Sequence, residues 1–349
     1  MSELAALLQG SPAEMISAVE TVLPWQQSYW HEFQQALANG RLPHALLLAG
    51  ASGLGKQALA AAMGAHLMCE RRDTLAAGQI SCGQCHSCSM RKAGSHPDLL
   101  VVAPAEQGKL IRIDTVRAVN DFMAQTAQQG GYRVIMLSGA DAMTVGAANA
   151  LLKTLEEPGE RTLFVLTSDL PSRVLPTILS RCQRWTLKHP RYDECAPWLT
   201  AQLDDAEEAR FWWRIADGAP LRAVRCGRGE WRQLRQKMIE LFDALVRGAE
   251  PVAEASRLDK QPLLDVLDIG IAWLEDLIRL GLSGDEQGVR NVDVLPLYRQ
   301  AVKNGRVRDW YRLLDYAHEQ RRLVMSGSNP NPMLVLEAWL VRWAALLRS

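Results

Sequence analysis

The chain has 349 residues, with 39 Lys and Arg against 39 Asp and Glu, so its formal net charge is zero. A chain that wraps nucleic acid by bulk electrostatics shows a basic excess, which is absent here, although a local basic patch is still allowed. At 48% hydrophobic residues the chain can bury sizeable cores and is not a disordered sequence, and its length fits two or three domains.

The first residues lack the basic start and apolar core of a signal peptide. No apolar run approaches the length of a membrane helix, so a cytoplasmic chain without a membrane partner is expected. Residues 1–20 read as an amphipathic extension, and 25–39 as a helix. Residues 44–50 form a short apolar run ending in Gly50, the pattern of a buried strand. An alanine-rich helix follows at 54–68. Residues 69–95 carry four cysteines among scattered Gly and Ser and read as an inserted module with little hydrophobic core of its own. Next come a strand at 98–104 and a helix at 113–127 with Ile113, Val116, Val119 and Met123 on one face. A strand at 132–139, a helix at 147–157 stopped by Pro158, and a strand at 161–169 complete the series. Strands alternating with helices at this spacing imply an α/β domain with a mostly parallel sheet.

Beyond about residue 187 no long β-branched run occurs. Helical stretches lie at 206–215, 231–247, 263–280, 309–324 and 332–347. Nine of the eleven tryptophans sit at or beyond Trp185. The expected organisation is an extension at 1–20, an α/β domain at 21–187 with the cysteine module at 69–95, a small helical domain at 188–228 and an all-helical domain at 231–349.

Two local patterns carry chemistry. Gly50, Gly55 and Lys56 satisfy the phosphate-loop spacing between a strand and a helix. The glycines would let backbone N–H groups wrap a phosphate at a helix N-terminus, with Lys56 as a point charge. Gln57 stands where a hydroxyl would hold Mg²⁺. Ser138 and Gly139 stand at the end of the strand where an acidic pair would position metal and water. Asp141 lies beyond the strand end and is expected to cap the following turn or helix. An inherited loop without turnover is therefore expected rather than a slow ATPase, and ATP is a doubtful ligand.

Cys69, Cys82, Cys85 and Cys88 fall within 20 residues, while Cys182, Cys195 and Cys226 are scattered. This fits a reducing compartment and one metal site better than a disulfide scaffold. Four thiolates at this spacing can surround one tetrahedral Zn²⁺ and leave no open position, which makes the zinc structural. His66 or His86 could replace one cysteine.

The stretch from Ala147 through Leu151, Lys153 and Glu156 to Pro158, then 161–169, then Leu175 to Ser180, Arg181 and Cys182, resembles the bacterial clamp-loader branch of the AAA+ family. So does the cysteine module after the phosphate-loop helix, and so does Asn329 to Glu337 near the C-terminus. The resemblance covers about residues 24–349. It implies an α/β AAA+ domain with a parallel sheet and zinc-module insertion, then a small helical lid domain and an all-helical collar domain. It further implies a non-motor subunit of the DNA polymerase III clamp loader, working beside motor subunits and a delta subunit in a hetero-pentamer that places a sliding clamp on primed DNA in the nucleoid-associated replisome. No intrinsic ATPase is expected of it; the polymerase activity belongs to the complex.

By the same resemblance Arg181 is an arginine finger acting in trans on a neighbour's ATP, and Arg222 sits where motor subunits carry a nucleotide-sensing arginine, although without a metal site it is expected simply to hold two domains together. Cys182 is assigned to packing. Lys153 could approach DNA or could lie on a solvated helix face. Residues 161–190 carry Arg161, Arg173, Arg181, Arg184 and Lys188 against Asp169 alone, a local balance of +4. Leu334, Leu336, Trp339, Leu340, Trp343 and Leu347 form a stripe read as core plus interface. The competing readings are an active motor ATPase of the same family and a stand-alone zinc-dependent nucleic-acid binding module.

Overall fold

The computed structural model describes every residue except 1, 77, 106–108, 130, 305, 326–327, 329 and 349. Of the C-terminal motif, Asn329 therefore lies outside the described residues. The chain divides into two compact units: residues 1–209 with 218–224, and residues 210–217 with 225–349.

The first unit is built on a five-stranded parallel sheet of order β2-β3-β4-β1-β5, with β1 Ala45–Ala49, β2 Leu99–Val102, β3 Arg133–Ser138, β4 Thr162–Ser168 and β5 Gln183–Thr186. Its helices are α1 Glu3–Gln9, α2 Pro12–Ala18, α3 Gln27–Ala38, α4 Lys56–Met68, α5 His86–Lys92, α6 Ile113–Met123, α7 Val145–Glu156, α8 Pro176–Leu179 and α9 Tyr192–Leu203, while α10 Ala206–Ile215 and α11 Pro220–Gly227 are each divided between the two units. The three central strands are buried on both faces, as parallel sheets with helical crossovers require.

The side chains of these strands alternate between two cores. Leu46, Leu48, Val134, Met136, Leu163 and Val165 face α4 and the N-terminal helices. Leu47, Ile135, Leu137, Phe164 and Leu166 face the layer of α6 to α8. Thr144, rather than Asp141, caps α7, its hydroxyl accepting from the Ala147 N–H at 3.2 Å. Asp141 instead accepts from the Asp169 N–H at 3.3 Å, because the chain makes a 3₁₀ turn at Ala140–Ala142 before the helix begins.

Of residues 2–20, Met15, Ile16 and Val19 are part of this core. Helix α4 is buried around almost its whole circumference, so one sheet face cannot cover it alone. Met15, Ile16 and Val19 from α2 and the residue following it close the other side. Ser2 and Ser11 cap the two short helices. The Glu3 carboxylate ties the exit by accepting from the N–H groups of Glu20 at 2.8 Å and Thr21 at 3.0 Å.

In the second unit α12 Gly229–Val246, α13 Pro251–Ala255, α14 Leu263–Ser283, α15 Leu295–Asn304, α16 Val307–Met325 and α17 Pro332–Arg348 enclose one core containing Trp273, Trp310, Trp339 and Trp343. Within the predicted α17 stripe, Leu336, Trp339, Leu340, Trp343 and Leu347 are buried, whereas Leu334 is 62% exposed. Asp276, fully buried, accepts from the Asn291 backbone N–H at 2.9 Å and its side-chain amide at 2.8 Å, and pairs with Arg290. Among the described residues no helix is long and apolar enough to cross a membrane.

Candidate functional site

Three places in the first unit carry the residues singled out by sequence. The phosphate loop runs from the end of β1 into α4. Gly53 and Gly55 both have φ +85°, a region open to glycine at little cost. A Cβ on Gly53 would lie 2.6 Å from Arg222 Cβ and 2.9 Å from the Arg222 backbone nitrogen, and one on Gly55 would lie 2.6 Å from Gln26 Nε2. The loop is tied from outside. The Trp25 indole N–H donates to Leu54 O at 3.0 Å, Gln26 Nε2 donates to Leu54 O at 2.9 Å and Gly55 O at 2.8 Å, and Leu221 N–H donates to Gly53 O at 3.1 Å.

Lys56 is turned onto its own chain. Its ammonium donates to Gly50 O at 2.8 Å and Ala51 O at 2.7 Å and pairs with Asp169 at 2.6 Å, with only 5% of the side chain exposed. Sequence reading did not assign Asp169 this place. Strand order explains it: β4 pairs directly with β1 and Ala49 lies opposite Ser168, so the residue after β4 stands beside the loop after β1. At the end of β3, Ser138 is buried with no partner for its hydroxyl, and Gly139 turns the chain at φ +79°. No complete set of ATPase residues is present: Gln57, Ser138 and Gly139 occupy positions that need a hydroxyl and two carboxylates. Arg222 is half-buried on α11, its backbone and Cβ against Gly53.

The second place is the cysteine module. The sulfurs of Cys69, Cys82, Cys85 and Cys88 all lie within 4.8 Å of one another, and Cys82 Sγ is 3.9 Å from Cys88 Sγ. A tetrahedral ion with Zn–S bonds of about 2.3 Å needs S···S separations near 3.8 Å, so the set fits a tetrathiolate metal. The backbone N–H groups of Cys82, Cys85 and Cys88 each donate to a cysteine sulfur at 3.3 Å, the bonding that suits thiolates. Burial opposes ionisation of Cys82, but the backbone N–H groups of Gln84 and Cys85, with the Cys69 and Cys85 side chains, outweigh it and bring its thiol down to about 6, whereas burial pushes the Cys69 thiol up and, with the Cys85 side chain, the Cys88 thiol up to about 12.

Neither histidine joins the cluster. His66 Nδ1 is bonded to Ile80 O at 3.0 Å and the ring packs edge-on to Trp30 and Phe33. His86 is an exposed residue opening α5. Arg91 on α5 is buried and reaches the N-terminal helices, donating to Ile16 O and to Ser17 O at 3.3 Å.

The third place is the turn after α8. Arg181 is 32% exposed. Its NH1 donates to Thr177 O at 3.0 Å and Ser180 Oγ at 3.3 Å, and its Nε donates to Glu156 Oε1 at 2.8 Å. NH2 completes an ion pair with the same carboxylate. Cys182 is half-buried against the α6–α8 core, and burial pushes its thiol up to about 11, so it packs rather than reacts. Lys153, Arg161, Arg173, Arg184 and Lys188 are all exposed.

A family model described as "DNA polymerase III, delta subunit" matches residues 25–191, and one described as "DNA polymerase III, delta subunit, C terminal" matches residues 229–345. The DNA polymerase III subunit delta' of Pseudomonas aeruginosa is 38% identical over 330 residues, covering 93% of this chain and 98% of that protein. That of Haemophilus influenzae is 36% identical over 263 residues, covering 75% of this chain and 79% of that protein. That of Yersinia pestis is 33% identical over 338 residues, covering 93% and 96%. With a parallel-sheet AAA+-like core, a four-cysteine cluster and a helical C-terminal half behind these matches, the chain belongs to the delta-prime branch of the DNA polymerase III clamp-loader subunits.

Proposed function

We propose that this chain is the non-motor subunit of a clamp loader and that it lends Arg181 in trans to the ATP site of a neighbouring motor subunit. The observation that carries the reading is the contrast between two cations. Both are bound to oxygens of their own chain, but Lys56 is 5% exposed, whereas the Arg181 side chain is 32% exposed and faces a carboxylate that is 49% exposed. Arginine suits this role because its planar, permanently charged fork can follow charge onto phosphoryl oxygens. The chain itself turns over no ATP on this reading, and Gly50, Gly55, Lys56 and Arg222 serve as a clasp within the first unit.

The further parts of the proposal are these. The four cysteines hold one structural Zn²⁺. The α/β domain, lid at 188–228 and collar at 231–349 work as separate domains, and the exposed side of α17 serves assembly with motor and delta subunits. The complex acts in the cytoplasm on a sliding clamp and primed DNA. The test is reconstitution with motor subunits. Arg181→Ala leaves assembly intact but lowers DNA-stimulated ATP hydrolysis by about 10³-fold or more at the adjoining site, and Arg181→Lys restores little of it. Wild-type clamp loading by Arg181→Ala refutes the finger.

A further inference from the structure

We infer that Glu156 is a positioning residue that parks Arg181 on its own chain and must be displaced before the guanidinium can meet a neighbour's phosphate. The inference rests on the finger reading and adds the step that gates it. The Nε and NH2 edge of Arg181, the edge that forks onto two oxygens, is occupied by the Glu156 carboxylate, while NH1 is held by Thr177 O and Ser180 Oγ. A phosphoryl oxygen approaching that edge meets a carboxylate already on it. The two anions therefore exchange: one leaves the guanidinium as the other arrives.

The position of Glu156 supports a dedicated role. It is the last residue of α7, where the helix dipole is negative and a carboxylate is disfavoured unless a cation offsets it. Arg181 is the cation paired with it, with Lys153 also in the last turn of the helix. Leu151 and Leu155 anchor the same helix in the core, so the carboxylate is carried on a fixed element while Arg181 sits on a turn. The parking contact is also weak enough to yield. Glu156 is 49% exposed and Arg181 32%, and surface pairs of this kind change an equilibrium by at most about fivefold. A buried pair would hold the arginine permanently.

The experiment uses the reconstituted complex, with ATP as the probe. Glu156→Gln keeps an acceptor oxygen and removes the charge. It is expected to lower the KM for ATP at the adjoining site about two- to fivefold, with a matching tightening of ATP binding by titration. Glu156→Asp, which keeps the charge, returns the KM toward wild type. Glu157→Gln, which removes the neighbouring charge, leaves it in place. In an Arg181→Ala background the Glu156→Gln shift vanishes.

A wild-type KM for Glu156→Gln overturns the inference. So does a shift of the same size without Arg181, or with Glu157→Gln. Should Arg181→Ala alone leave hydrolysis and loading unchanged, the finger reading itself falls, whatever Glu156→Gln does, so the two failures are separable.

Discussion

Replacing Gly53 by Ala tests whether the phosphate loop is a packing clasp. Two costs arise from the structure. At φ +85° an L-residue meets the left-handed penalty of about 1–2 kcal/mol. The added Cβ would also stand 2.6 Å from Arg222 Cβ, about 1 Å inside normal carbon contact, and 3.2 Å from Ala219 Cβ, a few tenths of an ångström inside it. Those neighbours belong to the start of α11 and the residue before it, so no rotamer change relieves the clash, and overpacking adds about 1–3 kcal/mol. The expected loss is about 2–5 kcal/mol, read as a fall of about 1–2 M in the urea midpoint of the first unit.

Gly40→Ala is the control. It has φ +63° and nothing within 4 Å of the added Cβ, so it carries only the backbone penalty, about 0.5 M. Equal midpoints for the two variants refute the clasp. The same loop should also ignore nucleotide. A site that held Mg-ATP at a hundred times its Kd would gain about 2.7 kcal/mol, and thermal unfolding in millimolar Mg-ATP should show no such rise. A rise that Lys56→Ala abolishes would show that the loop still opens to phosphate.

Metal analysis of the purified chain should find about one zinc per molecule, with the thiols of Cys69, Cys82, Cys85 and Cys88 protected from a thiol reagent until a chelator is added; a folded, metal-free chain with four reactive thiols refutes the site. Asp276→Ala leaves the buried Asn291 N–H groups without an acceptor and should destabilise the second unit by about 2–4 kcal/mol. Fluorescence of its buried tryptophans reports the change, and a loss under about 1 kcal/mol refutes the assigned role.

What could be read from sequence was whatever is local along the chain. The central strands announce themselves because both faces are buried, and the two motifs because their spacing is short. The missed elements lacked such a signal. Strand β5 buries only Trp185 of its four residues, so it shows neither an apolar run nor a full alternation. Helix α5 begins inside the cysteine module, capped by Cys85 rather than by a hydroxyl or carboxylate. The N-terminal helices had an indirect signal. The sequence of α4 is apolar on all sides, which demands a second cover, but nothing local says which segment supplies it.

The partners of the site residues were harder still, since Asp169 and Glu156 reach Lys56 and Arg181 only through sheet order and helix placement. Each motif cation is held by an acid of its own chain, yet the two pairs differ in what they permit. Lys56 is 5% exposed and also holds two loop carbonyls, so freeing it strips a buried charge of every ligand it has, at a cost of several kcal/mol. Arg181 is a third exposed and faces a half-exposed carboxylate, so giving up that carboxylate, with NH1 still on Thr177 O and Ser180 Oγ, costs about 1 kcal/mol or less. Burial alone therefore sorts two similar ion pairs into opposite roles. On the function proposed above, one locks a phosphate loop shut, and the other keeps an arginine ready for an anion that this chain does not hold.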